Sequence, residues 1–507
     1  MVYPRNSYWH ETATNKKETK YDKKDLIDKK YDLLIIGAGL TGLNTAYLLR
    51  NSGYKIAIIE GTNLGYGVSG YTTAKITVQH NLIYDYLINS FSIDEARQYL
   101  KANVEGLNLI KNIITENNIQ CDYKEQTAYV YTTKENELKI LKAELEAYKL
   151  LNIDGFYTED APLPVKPLGA IGIKNQGQFN PLKYLYSLYN ILLDYCEIYE
   201  NIRAISIEPH SDYHVVKTEE GNIYANKIVV TTHYPFEDNM GLFFLRLYQE
   251  KSYVIAAKTD SASFEGMYIN PTDPIYSMKY HYDNNDNILI LSGANHRAGA
   301  KDNEENAYKE LETFLKNNFK NPQILSKWST QDCITYDKIP YIGRYSDNIE
   351  NIYVATGFKK WGMTHSAAAA LILSNKILNI DDDYSEIYNP SRITPLLSSK
   401  EFLSSSMYIA SGFLKRIKPV PENLFEIEKE KGKIINYNGR KVGVYKNERG
   451  ELFCINPVCK HMKCGVSFNE AEKTWDCECH GSRFDIRGNI LEGPSVYPLD
   501  KIKIEKN

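Results

Sequence analysis

The sequence predicts an α/β fold, a doubly wound parallel sheet interrupted by an α+β insertion, with a small metal-holding module at the C-terminal end. Three observations predict it. An apolar run over residues 31–36 ends in Gly37-Ala38-Gly39-Leu40-Thr41-Gly42 and passes into a helical stretch, 43–50. Strands and helices interleave through the middle of the chain. Two Cys-plus-His pairs, Cys459-Lys460-His461 and Cys477-Glu478-Cys479-His480, stand about a hairpin apart near the end.

Residues 1–30 are polar and charged, lack the apolar stretch of a secretory signal, and read as an N-terminal extension. After the first strand, Gly37 permits a tight turn, Gly39 lets the backbone approach a pyrophosphate, and Gly42 lets the helix pack on the strand. A second apolar run, 55–59, ends in Glu60, at the distance where a carboxylate takes the ribose hydroxyls of a dinucleotide. The bland alternative is a glycine turn in an empty sheet. Further on, 134–151 reads as an amphipathic helix, 162–167 as a break and 182–193 as a second helix. Residues 204–216 and 223–230 alternate like strands, and 248–258, 266–270 and 288–293, followed by His296-Arg297, would build a sheet over the cofactor. Residues 391–420 look like a connection, with serines at 404–406 suggesting flexibility and 413–417 a possible docking turn. No second Gly-x-Gly-x-x-Gly follows a strand, which disfavours NAD(P)H as a direct reductant.

A chain of 507 residues with 43% hydrophobic content builds more than one core. A formal net charge of -4 carries no nucleic-acid footprint. No apolar run is long enough for a membrane span, so a cytoplasmic location is the expectation. Cys121, Cys196, Cys333 and Cys454 are scattered and do not form a secreted disulfide framework.

The C-terminal pairs read as a two-iron site. Thiolates donate charge and imidazoles are neutral, so two of each leave a cluster less negative, and higher in potential, than four cysteines would. Cys459, His461, Cys477 and His480 are the candidate ligands, and tetrahedral zinc in a ribbon is the alternative.

The pattern C-x-H-x-x-C, C-x-C-H-G-S and a Gly493-Pro494 turn resembles the Rieske proteins that carry an additional cysteine pair, from about Glu422 to the end. The resemblance implies an all-β Rieske domain over 421–507, a [2Fe-2S] cluster, and a Cys464 to Cys479 disulfide that could pin the two ligand loops together. Lys460, Lys463 and Glu478 depart from the usual Thr, Gly and Pro. Ser482 matches a hydroxyl that bonds the cluster, whereas Phe484 stands where a second hydroxyl, a Tyr, is usual; the potential should therefore fall below that of the respiratory members.

Gly65-Tyr66-Gly67-Val68-Ser69-Gly70-Tyr71-Thr72-Thr73-Ala74-Lys75, Trp328, Asp337-Lys338-Ile339-Pro340, the run 352–357 and Gly362-Met363-Thr364-His365 before an alanine-rich helix agree in order with another group. They resemble the FAD-dependent oxidoreductases of the D-amino-acid oxidase and sarcosine oxidase class, over about residues 30–380. That resemblance implies one oxidoreductase domain over 31–390, with Rossmann-like FAD-binding parts at about 31–110 and 330–390 and a substrate part at about 111–329. It implies FAD contacts from Gly37, Gly39, Gly42, Glu60, Ser69, Thr72, Thr73, Gly357, Gly362, Met363 and Thr364. Lys75, Trp361, His365 and Arg297 are the catalytic candidates, placed only by their segments; packing or a surface ion pair is the rival role for each.

A flavin takes two electrons together and an iron-sulfur cluster carries one. The expectation is an oxidoreductase acting on a small amine or amino acid, passing electrons singly through the cluster to a redox protein or quinone-like acceptor, as a dehydrogenase rather than an oxidase. Reverse flow, from a carrier through the cluster to FAD, uses the same parts. A redox sensor or plain electron carrier is the reading of another class. Ring hydroxylation needs a mononuclear iron on two histidines and a carboxylate, and the 10 His offer no paired spacing for it.

Overall fold

Within the run 31–36, Leu33 and Ile35 enter one hydrophobic core and Tyr31, Leu34 and Ile36 another, so the strand is buried on both faces. This is why the run is apolar throughout instead of alternating. The computed structural model describes residues 6–283, 286–299, 304–392, 400–420 and 427–504. Lys30–Ile36 lies between Asn222–Val230 and Ile56–Glu60 in an eight-stranded sheet, parallel to both. Glu197–Glu200 and Ile349–Thr356 extend the parallel set outward. The expected strand 204–216 is two strands, Ala204–Pro209 and His214–Thr218, which pair antiparallel. Helices Leu40–Leu49, Ile93–Glu116 and Gly362–Leu378 cover one face. Gly362–Leu378 is alanine-rich because Ile93–Glu116 crosses it closely: a Cβ on Gly106 would lie 2.6 Å from the Thr364 carbonyl oxygen.

The second sheet has nine strands, and its long pair, Leu247–Lys258 and Gln323–Thr335, positions the site. They pair antiparallel without a break from Leu247↔Thr335 to Ala256↔Ser326. The expected helix 134–151 is a 3-10 turn, Glu135–Glu137, leading into Leu138–Leu150, and the expected 182–193 is Pro181–Leu192. The N-terminal segment is packed down rather than trailing. Ser7 Oγ donates to Gly70 O at 2.6 Å and the buried Trp9 donates to Thr72 O at 2.7 Å, while Trp328 Nε1 donates to Tyr71 O at 2.9 Å.

Two small antiparallel sheets form the C-terminal unit: Lys431–Tyr437, Arg440–Lys446 and Leu452–Ile455, then Val466–Asn469, Thr474–Cys477, Arg483–Phe484 and Ile490–Glu492. Of the expected connection 391–420, residues 393–399 lie outside the described residues, as do 421–426 of the expected last domain and 1–5 of the extension. The rest is not a flexible tether. Lys400–Ile417 is an 18-residue helix that takes in both 404–406 and 413–417. Its Ile409 packs into the C-terminal core, and Gly412 sits so tightly on Cys479 that a Cβ there would collide with the sulfur. Apolar residues at helical spacing outweigh the serines.

The C-terminal unit docks on the second sheet through buried charge. Lys251 Nζ lies 2.7 Å from Glu472 and 3.6 Å from Asp476, and Arg483 pairs with Glu472, Asp476 and Glu492. Among the described residues no helix is long and apolar enough to cross a membrane.

Candidate functional site

At the end of the first strand Gly37 has φ +107°, a conformation L side chains rarely adopt, and a Cβ there would lie 2.6 Å from the Thr231 carbonyl oxygen. A Cβ on Gly42 would fall onto the carbonyl oxygen of Gly37, so that glycine is required for helix and turn to meet. Leu40 N, at the helix start, donates to Ser69 Oγ at 3.1 Å. Glu60 is fixed by donors of the same turn: Ala38 N to Oε2 at 3.0 Å, and Thr62 N and Oγ1 to Oε1, each at 3.0 Å.

From this turn a cavity of about 620 Å³ runs toward the second sheet. Of the predicted cofactor residues, Gly37, Gly39, Glu60, Ser69, Thr72, Thr73, Gly357, Gly362 and Met363 line it. Gly42 and Thr364 stand behind the wall; Thr364 Oγ1 lies 2.9 Å from His80 Nε2 and donates to Thr77 O at 3.1 Å.

The catalytic candidates divide. Lys75 lines the cavity, donating to Tyr268 O at 2.8 Å and to Ser277 Oγ; burial pushes its ammonium down to about 7. Trp361 lines it too, stacked on His80 with ring centroids 5.0 Å apart. The other two are not brought to it. His365 is buried one layer behind, its Nε2 3.1 Å from Tyr99 Oη, because a helix position inside the first turn of Gly362–Leu378 faces the neighbouring helix. Arg297 packs against the rings of Tyr248 and Tyr408, 5.3 and 4.7 Å from their centroids; on its strand the cavity wall ends at Asn295.

Sequence reasoning missed two parts of the wall, within residues 231–236 and 491–496. Residues 231–234 and Phe236 follow the central strand Asn222–Val230, and the general rule that doubly wound sheets bind at their strand C-termini could have found them. The expected strand 248–258 does reach the wall: its Tyr248, Glu250 and Ser252 face Ile334, Asp332 and Thr330 from the other long strand, all into the cavity. Residues 491–496, from the C-terminal unit, close its end. Nothing local in the sequence signals the last, which depends on docking. Gln249 Nε2 donates to His480 O at 2.8 Å, and Gln331 Nε2 donates to Gly481 O at 2.9 Å and Glu492 at 2.6 Å, so the back of the long strands holds the metal-site loop.

In that loop Cys464 and Cys479 form a disulfide. The Cys477 sulfur also lies within 4.8 Å of both, but those two are engaged with each other and offer no thiolate. Cys459 and Cys477 face each other within hydrogen-bond reach, and this contact together with Ser482 pulls the first thiol proton of the pair down. The rings of His461 and His480 lie 4.9 Å apart. Burial pushes His480 down to about 3, leaving a neutral imidazole, and both its ring nitrogens are buried with no hydrogen-bond partner among the described residues. Two sulfurs and two imidazoles, one with orphaned nitrogens, fit a two-iron cluster with mixed ligands. His461 Nε2 meets the Asp238 carboxylate, and Tyr234, on the cavity wall, sets its ring edge-on to both histidines at 6.3 and 6.4 Å. The glycine cradle, the helix start and the fixed Glu60 likewise fit the adenosine diphosphate half of FAD.

Residues 32–376 match the family of FAD dependent oxidoreductases and residues 423–503 the Rieske [2Fe-2S] domain. A putative Rieske 2Fe-2S iron-sulfur protein, YhfW, of Bacillus subtilis is 38% identical over 480 residues, 94% of either chain. The gamma-glutamylputrescine oxidoreductase of Escherichia coli is 24% identical over 394 residues, 74% of this chain and 89% of its own. Among solved structures, glycine oxidase from Geobacillus kaustophilus is similar in fold, with a TM-score of 0.62 at 17% identity, covering 72% of this chain and 99% of that one. FAD and a [2Fe-2S] cluster are the cofactors these domains carry.

Proposed function

The chain belongs to the FAD-dependent oxidoreductase family and ends in a Rieske [2Fe-2S] domain, and from that premise we propose that it oxidises a small amine or amino acid and delivers the electrons singly, through the cluster, to an external acceptor. The chemistry supplied by the bound groups is two-electron oxidation at FAD and one-electron carriage at the cluster. The observation that carries the proposal is the shared wall: residues 491–496 of the Rieske domain line the same cavity as the glycine turn, and Gln249, between the wall residues Tyr248 and Glu250, holds the His480 carbonyl. A cluster so placed is an outlet for the cavity, and a plain oxidase has no use for one.

The residues divide the work. The Gly37–Gly42 turn, Glu60 and Ser69 hold the adenosine diphosphate end, and Gly357, Gly362 and Met363 stand at the opposite end beside a helix N-terminus that favours negative charge. Lys75, at about 7, holds or releases a proton near neutrality, as removal of a proton from an ammonium substrate requires. Trp361, Ile269 and Ile334 exclude water from the middle of the cavity.

The test is anaerobic addition of amines, amino acids and NADH to the holoprotein, following flavin bleaching and the EPR signal of the reduced cluster. Bleaching by an amine or amino acid with growth of a Rieske-type signal is the expected result. Bleaching by NADH alone would make the protein a reductase.

A further inference from the structure

On the long strands Glu250 and Asp332 are directly opposite, with both side chains facing the cavity. Like charges across such a pair repel unless something positive lies between them. Glu250 has its cation, Lys360, at 3.0 Å. Glu492, the third carboxylate near them, is held by Arg483 at 2.7 Å and Gln331 at 2.6 Å. Asp332 is 9% exposed, and among the described residues no hydrogen bond or ion pair reaches its carboxylate. Lys360, paired to Glu250, offsets part of the cost of burying that carboxylate, and the remainder is relieved by a proton or an incoming cation. The guanidinium on the cavity wall, that of Arg203, lies against Gly61 beside the glycine turn, and Lys360, the lysine whose charge acts on Asp332, is held by Glu250.

We propose that Asp332, with Glu250 beside it, anchors a substrate ammonium group, and that the substrate is a diamine-like compound carrying a second amine. This rests on the substrate-oxidising function above. The need for a second amine follows from the ion pair. A nitrogen held against a carboxylate keeps its proton, and its lone pair is unavailable for oxidation. The nitrogen that is oxidised must therefore be another one, farther along the cavity. Burial pushes Asp332 up to about 6, with Glu250 and Glu492 adding to the rise and Lys360 opposing it. Below that value the anchor is protonated, and ammonium affinity should fall.

The test compares 1,4-diaminobutane, butylamine and glycine on the anaerobic holoenzyme and on Asp332→Asn. Binding is measured by calorimetry and oxidation by flavin bleaching. The diamine should bind at least tenfold more tightly than butylamine, and Asp332→Asn should erase that difference by raising the diamine Kd for flavin reduction with little change in the limiting bleaching rate. The calorimetric affinity of the parent for the diamine should fall below pH 6 more steeply than that of the variant. Asp332→Glu, which keeps the charge, should retain the preference, and flavin content checks that all three proteins are loaded. Equal binding of diamine and butylamine, preference for glycine, or unchanged diamine affinity in a flavin-loaded Asp332→Asn would each overturn the anchor. Diamine binding lost in Asp332→Asn, with no bleaching by any amine, would leave the anchor standing and remove the oxidation reading instead.

Discussion

Replacing Lys251 by Met keeps the apolar stem and deletes one charge from the docking surface between the two domains. In the parent the side chains of Lys251 and Glu472 are 0% and 3% exposed, and the cluster sets Lys251 and Arg483 against Glu472, Asp476 and Glu492. The variant leaves Glu472 and Asp476 with the charge of Arg483 and the neutral donors Tyr308 and Asn469. Removing one member of a buried pair costs about 3–5 kcal/mol, because the remaining charge is uncompensated. At about 1.4 kcal/mol per tenfold, the open form gains roughly two to three and a half powers of ten. Amide hydrogen exchange in Val466–Asn469 and Thr474–Cys477 reads that opening, and the double variant with Glu472→Gln should recover part of the loss. The pH dependence has a definite sign. Burial raises the Glu472 carboxyl, but Lys251 and Arg483 outweigh it and hold it well below its ordinary 4.5. Its stabilisation is present above about 4.5 and is lost only as pH falls toward the lower, folded-state value. Lys251→Met should move that loss up toward 4.5. A cost under about 1 kcal/mol, or no rescue by Glu472→Gln, would refute the claim that buried charge fixes the docking.

Gly42→Val should yield protein with cluster but little FAD, since its Cβ falls on the Gly37 carbonyl; stoichiometric flavin would show that the turn is misread. His480→Cys should abolish the high-potential EPR signal and leave FAD bound, and loss of flavin as well would show that the two sites depend on each other. Asp238→Asn should raise the cluster midpoint potential, on the order of 59 mV for a tenfold change in the reduction equilibrium, because a carboxylate at His461 Nε2 favours the more positive, oxidised cluster; an unchanged potential in iron-loaded protein sinks the idea.

The motifs with short-range chemistry were legible. Gly37, Gly39 and Glu60 reach the cavity because a strand, a turn and a helix leave them no other place, and the two Cys-plus-His loops carry their convergence in their spacing. Arg297 and His365 failed for the complementary reason. Each was placed by its segment, and a segment near a cofactor presents only some of its side chains to it. Asp332 and Gln331 are adjacent, yet one serves the cavity and the other the Rieske loop, a division that strand pairing decides and local pattern does not. The helix Lys400–Ile417 was masked by its serines.

The alternation along the two long strands has a consequence for how this protein can vary. Residues 248, 250 and 252, with 330, 332 and 334, look into the cavity, while Lys251 and Gln331 look the other way, onto the Rieske domain. One pair of strands therefore serves two sides, and a side chain's parity decides which side it faces. A single-residue insertion before Leu247 that slipped the pairing would turn over the side chains of Leu247–Lys258, putting Lys251 toward the cavity and Glu250 against the carboxylates of the iron-sulfur domain. Substrate preference can drift through one parity without disturbing the other, but length changes in these strands cannot be neutral to either redox centre.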